Sequence, residues 1–198
     1  MYTHEQLQDF IDGKIIGESY PYNTKNEEEI EAYIKHLYYR IQRIPNIICE
    51  AEFDHYGSGY ASFVEFFCYR KEDIVVIKDQ EQYGILAYEK TGVLLNVSRL
   101  APVFIYGEGE RSQTVRAETN EEMTGASCDL PGQTNIFSVH EKFDGLTYQL
   151  FKALKEFGYE SLDEKYANEP LPFQANIPTF YRRKNEYRKL DAIFYWED

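Results

Sequence analysis

Cys128, in the polar run GASCDLPG, and His140 downstream of it form the pair whose residue types could support nucleophilic catalysis. A cysteine attacks as its thiolate, which a nearby His, a cation or a helix N-terminus must stabilise. Their spacing follows no hydrolase or transferase pattern, and an incidental loop cysteine explains Cys128 with fewer assumptions. Acid/base work by paired carboxylates is the other route. With 34 acidic residues in the chain, coincidental pairs are unavoidable, so only position can single one out. Glu52 and Glu65, on neighbouring strand-like runs, are the best placed to face inward. Alternate solvent-facing strand positions are the simpler explanation of both.

Metal and phosphate chemistry find little support. His4, His36, His55 and His140 are scattered, with no two at the i, i+4 separation that shares a helix face. The paired Cys or Cys/His spacing of structural zinc is absent, so no metal is expected. Gly107, Glu108, Gly109 and Glu110 resemble a glycine-rich phosphate cradle only in their glycines. The run lacks the Lys and Ser/Thr of such a loop, and its two carboxylates would repel a phosphate. No cofactor is expected.

Charge is more informative. The 34 acidic residues face 21 basic ones, leaving a net charge of −13. Such a field repels nucleic acid and anionic membrane and concentrates cationic partners, although solubility alone asks for part of it. Glu108, Glu110, Glu118, Glu121 and Glu122 gather in the Gly-, Ser- and Thr-rich stretch 107–135, which reads as a long loop. A patch of that kind steers a basic protein into encounter and helps select it. Arg182, Arg183, Lys184, Arg188 and Lys189 are the local exception, interleaved with Tyr181 and Tyr187 in a pattern that nucleic-acid stacking could use. Inside an acidic chain a salt-bridged surface explains them more simply, and no nucleic-acid partner is expected. Arg99, just before Pro102, could anchor an anionic ligand; pairing with one of the many carboxylates is the expectation.

The elements that must position these residues follow from periodicity. Leu7, Phe10 and Ile11 predict a short helix over residues 4–12. Ile30, Ile34, Leu37, Ile41 and Ile44 recur every three or four residues and predict a long one over 26–44. Thr24 and Glu27 have capping-box spacing, with Asn26 as the rival cap, and Pro45 ends the helix. From 47 to about 106 the pattern turns to short β-rich runs, IICEAEF, YASFVEFFCYR, IVVIK, YGILAYE, VLLNV and VFIYG, which read as an antiparallel meander. KTG at 90–92 reads as a tight turn between two of them. YASFVEFFCY and VLLNV are almost continuously apolar and call for cover on both faces. A second helix over 144–157, capped by Asp144 and stopped by Gly158, follows the polar stretch. The terminal AIFYW reads as a last strand of the sheet.

A chain of 198 residues with 43% hydrophobic and 28% charged residues is expected to fold as one domain spanning 1–198. Its 18 Tyr and 13 Phe suit sheet filling, and Tyr also suits a binding surface. Three Cys without regular spacing argue against a disulfide framework. The N-terminus has no basic-then-apolar leader, and no uncharged run reaches the ~18 residues of a membrane span, so a cytoplasmic protein with no membrane partner is expected. The expected class is α+β, a single antiparallel, or mixed, sheet of about six strands with two main helices packed on it. The expected function is a non-enzymatic acidic protein-binding module of the bacterial immunity or antitoxin type, neutralising a basic toxin domain. The competing expectation is a small hydrolase or transferase using Cys128 and His140 or carboxylates on the sheet.

Overall fold

The computed structural model describes residues 1–57, 59–80, 84–127, 130–133 and 136–197. In chain order they form α1 (His4–Ile11), α2 (Glu27–Gln42), β1 (Ile48–Glu52), β2 (Tyr60–Ala61), β3 (Phe63–Tyr69), β4 (Ile74–Gln80), β5 (Ile85–Ser98), β6 (Val103–Arg116), β7 (Glu122–Ser127), α3 (Asp144–Glu156), β8 (Glu160–Ser161), α4 (Glu164–Asn168), α5 (Lys189–Ile193) and β9 (Trp196–Glu197). The class is α+β, as the periodicity implies. The apolar stripe of α2 buries Ile30, Ile34, Leu37 and Ile41. Its cap is Asn26, whose side chain accepts from the Glu28 and Glu29 amides at 2.9 and 3.2 Å. The Thr24 hydroxyl turns back instead to the Pro21 carbonyl, at 2.8 Å.

The main sheet runs β1-β3-β5-β6-β7, with β4 pairing the first half of β5 and β8 adding in parallel to the start of β6. Along β3, side chains alternate between two cores. Val64, Phe66 and Cys68 meet α2 and α3 on one face. Phe63, Phe67 and Tyr69 meet α1, α4, α5 and the C-terminal segment on the other. This double cover is why the strand reads as almost continuously apolar, broken only by Glu65. Much of the tyrosine is core: Tyr22 donates to the Ser98 carbonyl at 2.6 Å and Tyr195 to the Phe10 carbonyl at 3.2 Å. Each phenol thereby supplies ring volume without stranding its hydroxyl.

Four local expectations are corrected. Lys90, Thr91 and Gly92 do not turn the chain; they lie inside the single strand β5. The stretch from 107 is not a loop as far as Ser127, because β6 continues to Arg116 and returns as β7, with Arg111 facing Ser127 and Val115 facing Glu122. A ladder supplies the backbone hydrogen bonds whatever the side chains, so an exposed hairpin tolerates Ser, Thr, Gln and Glu that composition assigns to a loop. Asp144 is the first residue of α3 and not its N-cap, a position held by Phe143; the preceding turn is held by His140, whose Nδ1 accepts from the Lys142 amide at 3.1 Å. The terminal AIFYW does not join the main sheet. Ala192 and Ile193 end α5, and Trp196 and Glu197 pair with β2 in a separate two-stranded sheet.

Two glycines face each other across β5 and β6: Gly92 pairs with Gly109. A Cβ on Gly92 would sit 2.4 Å from the Cys68 carbonyl oxygen, and one on Gly109 would sit 2.3 Å from Leu94 Cγ. The missing side chains allow the sheet to crease there toward the face that carries Phe63 and Phe67. Gly92→Ala pushes against backbone and is expected to destabilise the fold by about 1–3 kcal/mol. Gly109→Ala meets a side chain that can rotate and should cost less. Urea unfolding midpoints of the two variants check the order, and equal midpoints with the parent would show that no close approach exists at Gly92.

Candidate functional site

The crease has one polar consequence. Glu65 of β3 pairs across β5 with Asn96, which pairs in turn with Ile105 of β6. Along an extended β6, Arg111 would lie about 20 Å beyond Ile105, out of reach of Glu65. In the folded chain Arg111 Nη2 donates to Glu65 Oε1 at 2.9 Å, Nη1 donates to Glu50 Oε2 at 2.9 Å, and the guanidinium lies 4.8 Å from the Phe67 ring centre. The hairpin has folded back over the sheet. Glu65 is fully buried, and Glu50 is also reached by Lys90 at 2.8 Å and by the Tyr69 hydroxyl at 2.7 Å.

Burial by itself would push the Glu50 carboxyl up, but hydrogen bonds from Lys90 and Tyr69, the Lys90 charge and Arg111 outweigh it and hold it below the usual carboxylate range. The same arrangement pushes the Tyr69 phenol up, through burial first and then Glu50. Glu50 is thus fixed as an anion between two cations, a poor proton donor near neutral pH. Beside it opens a cleft of about 410 Å³ between Glu50 and Glu52 on β1 and Ser112, Gln113, Gly125 and Ala126 on the hairpin. Of the two carboxylates favoured by position, Glu65 is inward and paired, against the simpler solvent-facing explanation. Glu52, its register partner, accepts from the Asp54 amide at 2.7 Å and lines the cleft.

The other candidates separate. Cys128 lies outside the described residues, and His140 is exposed, its ring engaged in the turn before α3 and its amide donating to Glu108 at 3.0 Å. Glu108 and Glu110 sit on β6, Glu118 and Glu121 at the hairpin tip, and Glu122 on β7, where it alone of the five lines the cleft. Glu121 pairs with Arg116 at 3.5 Å. The basic cluster turns largely inward: Arg182 meets Asp191 at 3.1 Å, Arg188 meets it at 4.0 Å, and Lys189 meets Glu169. Arg183 and Lys184 stay exposed. Arg99 is paired as expected, with Glu31 at 3.1 Å, and also donates to the carbonyls of Phe53, Ala61 and Phe63. Among the described residues no group of three or more His, Cys, Asp or Glu is gathered for a metal ion, and no helix is long and apolar enough to cross a membrane.

Glu50, Lys90 and Arg111 were not singled out by sequence. A signal exists for part of it: Glu65 occupies the phase of β3 that is otherwise apolar, and Arg111 follows Gly107 and Gly109 in a strand. Comparison with protein-family models, curated proteins and solved structures finds no match to this chain.

Arg111→Leu leaves Glu65 buried beside a lost cation and is expected to destabilise the fold by about 3–5 kcal/mol, while Arg111→Leu with Glu65→Leu recovers most of the loss. Denaturant titration checks this, and a double variant no better than the single would contradict it. Burial pushes the Asp191 carboxyl up to about 7 despite the charge and hydrogen bond of Arg182. An acid raised in the fold binds its proton there while the unfolded chain has released it, so Asp191 lowers stability as pH rises from about 4 to 7. The stability of the parent minus that of Asp191→Asn should fall across this window and level off above it. A flat difference would contradict the assignment.

Proposed function

We propose that the chain is a non-enzymatic acidic protein-binding module of the bacterial immunity or antitoxin type, which acts in the cytoplasm and neutralises a basic toxin domain by covering its active site. One observation carries the reading: the half-buried cations are committed internally. Arg70 is held by Asp73, Lys90 by Glu50, Arg99 by Glu31, Arg111 by Glu65 and Arg182 by Asp191. Each of these pairs is neutral, so the net charge of −13 is left to the other residues, among them the exposed carboxylates Glu27, Glu28, Glu110, Glu118 and Glu122.

Electrostatics of this kind sets encounter rate and partner choice more than final affinity. It favours a cationic protein and disfavours nucleic acid and anionic membrane. The carboxylates best placed for catalysis support the same reading, since Glu65 and Glu50 are clasped by Arg111 and Lys90. The paired strands of the hairpin carry Glu122 and hold the tip with Glu118 and Glu121 between them, which leaves less ordering entropy to lose on binding than an unpaired loop would.

Affinity capture from the native host at low and high salt, with the purified protein as bait, tests the proposal. One basic protein should be recovered in stoichiometric amount at low salt, less at high salt, and lost when Glu118, Glu121 and Glu122 are changed to Lys. Recovery of no such protein, or recovery indifferent to the three substitutions, would contradict it.

A further inference from the structure

A second cleft, of about 290 Å³, opens between the first turn of α2, the short turn His55–Gly57 and Tyr60 at the start of β2. Its walls include the apolar side chains of Ile15, Ile30 and Leu100 and the Tyr60 ring, with the exposed Glu27 and Glu28 on its outer side. Small-molecule and cofactor sites span about 300–1,000 Å³, so this volume suits one long side chain better than a cofactor.

The charges within the cleft decide what enters. Arg99 borders it, but its donors already serve Glu31 and the carbonyls of Phe53, Ala61 and Phe63, so it has little left for an anionic ligand. His55 adds no charge: burial and then Arg99 hold its imidazole below the usual value, and its Nδ1 accepts from the Ala61 amide at 3.0 Å. Glu31 is shared between Arg99 and Lys35. Glu27 and Glu28 remain, with no ion pair among the described residues. The Tyr60 phenol, pushed up to about 12 chiefly by burial, keeps its proton and offers a neutral oxygen beside them. A carboxylate or phosphate entering here would face two glutamates and an arginine already engaged.

We infer that this cleft receives a single arginine or lysine side chain, its methylenes against Ile15 and the Tyr60 ring and its charged head between Glu27 and Glu28. The assignment deepens the reading of the chain as a module for a basic protein and rests on it. Long basic side chains bury their stems on apolar walls while the head stays near water and carboxylates, and arginine is over-represented among the residues that anchor protein interfaces. The cleft thus supplies the specificity that a diffuse anionic surface lacks.

The test is an NMR titration of the full chain with Nα-acetyl-arginine amide, set against the uncharged isostere Nα-acetyl-citrulline amide. Saturable shifts of the His55 and Tyr60 ring signals are expected with the arginine probe and not with the citrulline one. Glu27→Gln with Glu28→Gln should weaken the arginine probe about tenfold, whereas Glu110→Gln with Glu118→Gln, which removes the same charge from the hairpin, should leave it unchanged. Absence of shifts at His55 and Tyr60, equal response to both probes, or equal weakening in the two double variants would overturn the assignment. The failures are separable: a captured basic partner indifferent to Glu27→Gln and Glu28→Gln sinks the cleft alone. A cleft that binds the arginine probe while no basic protein is ever captured sinks the module reading alone.

Discussion

Arg111 reaches Glu65 only because the sheet creases at Gly92 and Gly109, and the crease holds only because a buried carboxylate is waiting on the far side. Either half alone would be unfavourable. A fully buried Glu65 without a cation carries a desolvation penalty of several kcal/mol, and an arginine set against the Phe67 ring without a carboxylate would lose much of its hydration. Together they fix how far the hairpin folds back, and so the position of the cleft along β1. The same clasp draws Glu50 and Lys90 into one network. Ion pairs of this kind add little to net stability compared with an apolar replacement; their effect here is to choose one curvature of the sheet among several a glycine pair would permit.

The economy of charge extends over the molecule. Asp191 draws in Arg182 and Arg188 from a run of basic residues that looks, in sequence, like a surface for nucleic acid. Glu31 does the same for Arg99. Each internal pair removes one basic and one acidic side chain from what a partner meets, so the acidic excess of the composition is left to the remaining, more exposed residues. An anionic surface of this kind is what the proposed binding to a cationic protein would draw on.

Helices were legible because their signal is local. Ile30, Ile34, Leu37 and Ile41 announce α2 by spacing alone, and the positive φ of Gly158 ends α3 where the residue type suggests. The double cover of β3 was legible for the same reason. The errors lie where tertiary pairing overrides composition. KTG has turn chemistry, yet Gly92 is needed as a close-approach residue within a strand. The segment 107–127 has loop composition, yet its backbone is satisfied by β5 and β6. The terminal AIFYW has strand composition, yet Asp191 within the preceding residues accepts from the Arg188 amide at 2.7 Å and starts a short helix. Of the candidate sites, Glu65 was visible as a carboxylate in an apolar phase, but its partner Arg111 lies far along the chain and no local pattern connects the two.

The proposed function is tested most directly by the association rate of the chain with the basic protein that affinity capture is expected to recover, followed by stopped flow from low to physiological ionic strength. An acidic module that works by attraction should associate fast at low salt and slow by about tenfold or more as screening sets in. An association rate indifferent to ionic strength would contradict the account, because the outward charge would then have no part in finding the partner.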